Sequence, residues 1–342
     1  MKVMWRGGLN KEKGFGNLNY NVIRELSRNG YEIYLDNSLN QPPSELPYFC
    51  RVATNTDPDD KSVLVTSHNQ NKIRLNYRGY QVLYTAIEGT IPDSTFLYAK
   101  NNVDEVWVPS HHSRNAARTV FEQDKIFVIN HGIDFEIFNS DKYDLMKREK
   151  FTFFSVFRWT WRKAPDLLID VFKETFKTNE ADLVILTKVS EFPKMPKLPE
   201  NIKIKQHGVN TDELVRLYCK SHAFVLPTRG EGWGLPLTEA GALGLPIITT
   251  NWGGPLEFLN AKNSFLLNID GFVSPPPETG KDRNNLFANP SRDELKKLLR
   301  FVYENYDESL KKSALLKQNI KRLTWENTAN AISRRFKDIC RQ

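Results

Sequence analysis

Short, continuously apolar runs alternate with segments of helical periodicity from one end of the chain to the other. Runs at residues 2–5, 32–35, 63–66, 81–86, 104–109 and 126–130 read as strands in the first part. Those at 151–157, 183–187, 202–205, 223–227 and 246–250 read as strands in the second. Strands this short and uniformly apolar suit a parallel sheet covered on both faces. Between them, helices are expected at about 18–29, 110–121, 167–176, 211–220 and 235–243. A charged stretch at 139–150 has no apolar period and reads as a linker, and residues 268–290 read as a long loop rich in Pro and Asn. Three basic helices then close the chain. The alternation predicts an α/β protein of two doubly wound domains facing across a cleft, residues 1–145 and 146–323, followed by a helix at 324–342.

Composition narrows the class. A length of 342 residues suits two domains, and 40% hydrophobic with 12% aromatic content can fill both cores. No run of about 18 apolar residues exists to span a bilayer. The N-terminus enters a strand directly, without a signal peptide. Cys50, Cys219 and Cys340 show no metal or redox spacing. A cytoplasmic enzyme with reduced thiols is the plain reading. The net charge of +7 is concentrated, since residues 296–342 carry 12 basic and 5 acidic side chains. Such a tail is either a solvated helical face or a contact for anionic lipid, which would place the protein at a membrane surface. No nucleic-acid partner is expected.

The chemistry concentrates at residues 223–250. A buried strand leads to a glycine-rich turn, Gly230 to Gly234, then to a helix and a second buried strand. Gly232 and Gly234 let the backbone approach a ligand, and Pro236 fits a first helical turn. Free amides at that helix start suit a phosphate. Glu231 and Glu239 flank it, and carboxylates beside a phosphate site suit hydroxyl donors instead. A ligand with hydroxyls at both ends and phosphate between them is a nucleotide sugar.

The segment Glu231-Gly-Trp-Gly-Leu-Pro-Leu-Thr-Glu239-Ala, followed by Asn251-Trp-Gly-Gly254-Pro-Leu-Glu257, resembles the signature of retaining glycosyltransferases of the GT-B fold, family 4. The resemblance covers nearly the whole chain, best at 104–134 and 151–259. It implies sugar transfer from a nucleotide-diphosphate sugar to a hydroxyl acceptor, a glycan or a lipid- or protein-linked sugar, without a metal or other cofactor. It implies that Arg158, at a strand end, and Lys163, five residues on, grip the donor diphosphate, with Arg162 nearby. Glu231 would hold the sugar hydroxyls and Glu239 the ribose, while Gly232, Trp233, Gly234 and Leu235 line the phosphates. Gly14 and Gly16 match the loop facing the donor phosphates in the first domain, and Val209 lies in the segment passing the base. The family's last helix crosses back to the first domain.

Glu88 departs from the pattern, because many relatives carry a histidine at that position; it resembles a subset with Tyr-Thr-x-x-Glu. Following the apolar strand 81–86, it is expected at the cleft edge as a catalytic group. His68 follows the preceding strand and reads as structural, as do His111, His112 and His131. Asp57-Pro-Asp59, set in a polar loop, is rejected as a metal site. The alternatives are a GT-B phosphorylase or epimerase and a non-catalytic binder of nucleotide sugars or polyanions.

Overall fold

A computed structural model describes residues 2–11, 14–35, 50–52, 62–68, 73–74, 77–143, 148–188, 197–206 and 208–341. Asp57-Pro-Asp59 lies outside the described residues. The chain divides into two compact units, residues 1–132 with 323–342, and residues 133–322.

The first unit is built on strands β1 (Lys2–Arg6), β2 (Glu32–Leu35), β3 (Arg51–Val52), β4 (Val63–Ser67), β5 (Tyr80–Tyr84), β6 (Glu105–Val108) and β7 (Ile126–Val128). They run parallel in the order β3-β2-β1-β4-β5-β6-β7. Helices α1 (Gly14–Arg28), α2 (Phe96–Lys100) and α3 (His111–Ala117) cross between them. Helix α1 begins four residues before the expected start, and packing accounts for this. Any Cβ on Gly16 would collide with the backbone of Asn10, so the loop after β1 lies directly on the helix's first turn. Asn19 fixes that loop, accepting from Trp5 Nε1 at 3.1 Å and donating to the Gly8 carbonyl at 2.9 Å. Two glycines lower local helix propensity and hide the start from a periodicity reading.

The second unit repeats the plan. Strands β8 (Phe151–Arg158), β9 (Ala181–Lys188), β10 (Ile202–Gln206), β11 (Ala223–Leu226), β12 (Ile247–Thr250) and β13 (Phe265–Leu267) are parallel, in the order β10-β9-β8-β11-β12-β13. Helices α4 (Pro165–Thr175), α5 (Thr211–Cys219), α6 (Leu235–Ala242), α7 (Arg292–Glu304) and α8 (Tyr306–Asn319) surround them. The expected long loop at 268–290 instead contains an antiparallel hairpin, β14 (Ile269–Val273) with β15 (Phe287–Pro290). Its first strand is interrupted by a register shift around Gly271, at φ +97°, a conformation that glycine adopts without a Cβ penalty.

The closing helix α9 (Trp325–Ile339) belongs to the first unit. Gly132 leaves room for the backbone of Thr324 and Trp325, and Thr328 Oγ1 donates to the Asn130 carbonyl at 2.9 Å. Arg335 pairs with Glu105, a buried carboxylate that also accepts from Tyr80 Oη at 2.9 Å and Trp107 Nε1 at 2.7 Å. Part of the tail's positive charge is thus spent inside its own unit. Among the described residues no helix is long and apolar enough to cross a membrane.

Candidate active site

In a doubly wound sheet, ligands bind beyond the carboxyl ends of the strands, where the strand order reverses. In the second unit that point lies between β8 and β11. The loops leaving these strands, residues 159–164 and 227–234, are clamped together. The Arg229 amide donates to the Arg162 carbonyl at 2.7 Å, and Thr228 Oγ1 to the same oxygen at 3.1 Å. The Arg162 guanidinium donates to the Gly230 carbonyl, and Arg229 Nη1 to the Trp161 carbonyl at 2.5 Å. Arg229 also pairs with Asp166 on α4 at 3.2 Å and lies over the Trp161 ring. The hairpin joins the same cluster, because the Ala288 amide donates to the Arg229 carbonyl at 2.9 Å.

Helix α6 starts from this clamp. Gly234 caps it at φ +97°, and Pro236 sits in its first turn. The glycine pair after β12 closes the turn from the other side. Gly254 donates its amide to the Glu231 carbonyl at 2.7 Å, and any Cβ on it would collide with the carbonyl of Gly232.

Glu231 is the electrostatic centre, with 6% of its surface exposed. Lys163, also buried, pairs with Oε1, and Arg162 approaches Oε2 at 3.3 Å. Burial alone would raise the carboxyl's pKa, but the charges and hydrogen bonds of Lys163 and Arg162 outweigh it and hold Glu231 ionised. The family resemblance implies separate tasks for Lys163 and Glu231; the structure brings them into one ion pair. Arg158 stands exposed at the end of β8, with no ion-pair partner among the described residues. Gly232, Trp233 and Gly234 are buried in the turn and Leu235 is half-buried. Val209 is half-buried in the loop after β10, two strands away from β8.

Glu239 sits one helical turn into α6, and there burial prevails. Desolvation pushes its carboxyl up to about 7, against the pull of a hydrogen bond from Tyr218 Oη at 2.9 Å. Tyr218, on α5, is a partner that the sequence reading missed. No local spacing signals it.

The first unit has its own order reversal, between β1 and β4. His68, just past β4, takes a left-handed backbone conformation at φ +72° and stacks on Phe15, ring centroids 4.4 Å apart. Gly14, exposed, and Gly16, buried, bracket that phenylalanine at the start of α1. Glu88 lies half-buried four residues past the end of β5. Its neighbour Ile87 is held at both backbone groups by Ser113 Oγ, at 3.1 and 2.8 Å. The Glu88 charge acts on both His68 and His112.

The family of glycosyl transferases group 1 matches residues 139–322. The chain belongs to that family. Among curated relatives of this group 1 glycosyltransferase, a probable sucrose-phosphate synthase of Thermosipho melanesiensis is 28% identical over 219 residues, 60% of this chain and 46% of that one. Sucrose synthase 1 of Hordeum vulgare is 31% identical over 204 residues, 50% of this chain and 25% of its own length. The GDP-mannose-dependent alpha-(1-6)-phosphatidylinositol monomannoside mannosyltransferase of Mycobacterium tuberculosis is 30% identical over 160 residues, 41% of each chain. The chain thus spans less than half the length of these relatives. The sucrose-phosphate synthase structure from Thermosynechococcus elongatus superposes with a TM-score of 0.74 at 13% identity, over 99% of both chains. HepE from Anabaena, in complex with UDP and glucose, gives 0.70 at 12% identity over 99% of this chain and 100% of that one. These likenesses show the GT-B fold.

Proposed function

We propose that the enzyme moves a sugar from a nucleotide-diphosphate sugar to a hydroxyl of a glycan or lipid-linked acceptor, with retention of the anomeric configuration. One observation carries the reading: Glu231, held ionised by Lys163 and Arg162, lies beside the amide-rich start of α6 at the order reversal of its sheet. A fixed carboxylate suits sugar hydroxyls, and the adjoining amides and cations suit a leaving diphosphate. Lys163, Arg158 and the amides from Gly232 to Leu235 would stabilise the departing charge, so this chain's own cations meet the diphosphate and no cofactor is called on. The acceptor attacks the face from which the diphosphate leaves, and a leaving-group oxygen takes its proton. The UDP and glucose bound by HepE support a UDP-sugar as the first donor to assay; GDP-mannose is the second, after the mannosyltransferase relative.

Arg158 gives the direct test of donor orientation. Arg158→Ala should weaken UDP about tenfold in calorimetry and leave UMP within about twofold, since a salt-bridged phosphate is worth about 1.4 kcal/mol or more. Equal losses for both nucleotides would mean that Arg158 does not read the second phosphate. Glu88, on the first unit, is assigned to the acceptor hydroxyl or to positive charge growing on the sugar ring. Glu88→Gln should then lower kcat about 10- to 1000-fold while donor affinity stays within about twofold. Lost donor binding at normal kcat would make Glu88 a donor ligand instead.

A further inference from the structure

Glu239 is buried, yet only one of its two carboxylate oxygens is committed. Tyr218 Oη donates to Oε2 at 2.9 Å, and no hydrogen bond to Oε1 occurs among the described residues. Tyr218 is fully buried, and its own place is over-determined. Its ring packs edge-on against Phe154 at 4.9 Å and Phe138 at 6.5 Å, and beside Phe224 at 5.6 Å. Its hydroxyl also lies 3.3 Å from the Pro236 carbonyl, in the first turn of the helix that carries Glu239. The side chain therefore reaches from α5 to touch both the start of α6 and the acid one turn further on. A phenol held this firmly fixes the direction of the carboxylate it bonds.

We propose that Tyr218 is a positioning residue of the donor site, which orients Glu239 so that its uncommitted oxygen accepts from the ribose hydroxyls of the nucleotide. The inference rests on the assignment of Glu239 to the ribose and adds to it the residue that makes the carboxylate a directional acceptor. Burial disfavours the charged carboxylate, and the tyrosine's hydrogen bond favours it, so the bond supports the form with most capacity to accept. Tyr218 itself touches no reacting atom. Its effect should fall on donor recognition and leave the chemical step alone.

The test compares ribo- and deoxyribonucleotides on the intact chain by calorimetry, with UDP against 2′-dUDP and GDP against 2′-dGDP, in the wild type, Tyr218→Phe, Glu239→Ala and the double variant. Tyr218→Phe keeps the ring and its aromatic contacts, and thermal unfolding checks that the fold is retained. The expected result is that the wild type prefers its ribonucleotide, and that Tyr218→Phe cuts that preference about fivefold. The deoxy analogue should bind Tyr218→Phe and wild type alike, and the double variant should lose no more discrimination than Glu239→Ala alone. A merely structural role would weaken both nucleotides equally. If Glu239→Ala loses the discrimination and Tyr218→Phe keeps it, the positioning role is wrong and the ribose assignment stands. If the wild type fails to distinguish either pair and Glu239→Ala binds as wild type does, the ribose assignment fails and the role of Tyr218 falls with it.

Discussion

Two buried glutamates on one turn and helix have carboxyl pKa values displaced in opposite directions, and the difference lies in their partners. Glu231 faces two cations, which outweigh the cost of burial. Glu239 faces one phenol, which does not, so its carboxyl rises from the ordinary 4.5 to about 7. A carboxyl whose pKa is raised by folding favours the fold in its protonated form. That contribution is complete below about pH 4.5 and is lost as pH rises through about 7. Glu239→Gln, which cannot ionise, escapes the loss. The variant should be more stable than the wild type at pH 8, by up to about 3 kcal/mol at about 1.4 kcal/mol per pKa unit, and nearly equal to it at pH 4.5. Urea unfolding at the two pH values checks this. A difference of the same size at both would show that Glu239 is not titrating. Stability given up at a buried acid is consistent with a residue kept for binding.

The strands and helices around the site were legible because their apolar runs are short, continuous and bounded, from Ala223 through Thr250 above all. The glycine-rich turn and both glutamates could be read directly. What escaped is contact between elements distant in sequence. Lys163 and Glu231 are 68 residues apart, and Tyr218 and Glu239 are 21 apart on different helices. Neither pairing leaves a local pattern. The hairpin at 269–290 escaped for another reason: Gly271 and the Pro and Asn around its strands erase the alternation by which a strand is recognised. By contrast Gly253 and Gly254, which lie in the segment that carries the family resemblance, have a clear physical purpose in bringing two turns into backbone contact. Gly254→Ala forces a methyl into the Gly232 carbonyl, which is backbone and cannot rotate away. We expect a loss of about 1–3 kcal/mol or more in urea unfolding, with nucleotide binding weakened in parallel. Gly208→Ala, at a position with open space, serves as the control and should stay within about 0.5 kcal/mol. Equal stability of the two variants would mean that the turns do not touch as described.

Both units use one strand plan, in which the first strand lies at the centre and the order reverses beside it. The plan explains why the chemistry-bearing residues of each unit leave adjacent strand ends although they come from separate stretches of sequence. The last helix belongs to the first unit as well, where Arg335 meets the buried Glu105 and lies over the Phe127 ring. That pairing is invisible to a count of basic residues, which sees only a charged tail. The family match covers the second unit, and there the fixed carboxylate, the clamped cations and the amide-rich helix start converge on one place. Transfer can be followed by incubating the enzyme with UDP-glucose or GDP-mannose and a panel of saccharide and lipid-linked acceptors, measuring nucleoside diphosphate release and the anomeric proton of the product together. We expect release in step with a product that retains the donor's configuration, and a kcat at least about 100-fold lower for Glu231→Ala. An inverted product, or Glu231→Ala turning over within twofold of the wild type, would contradict that expectation.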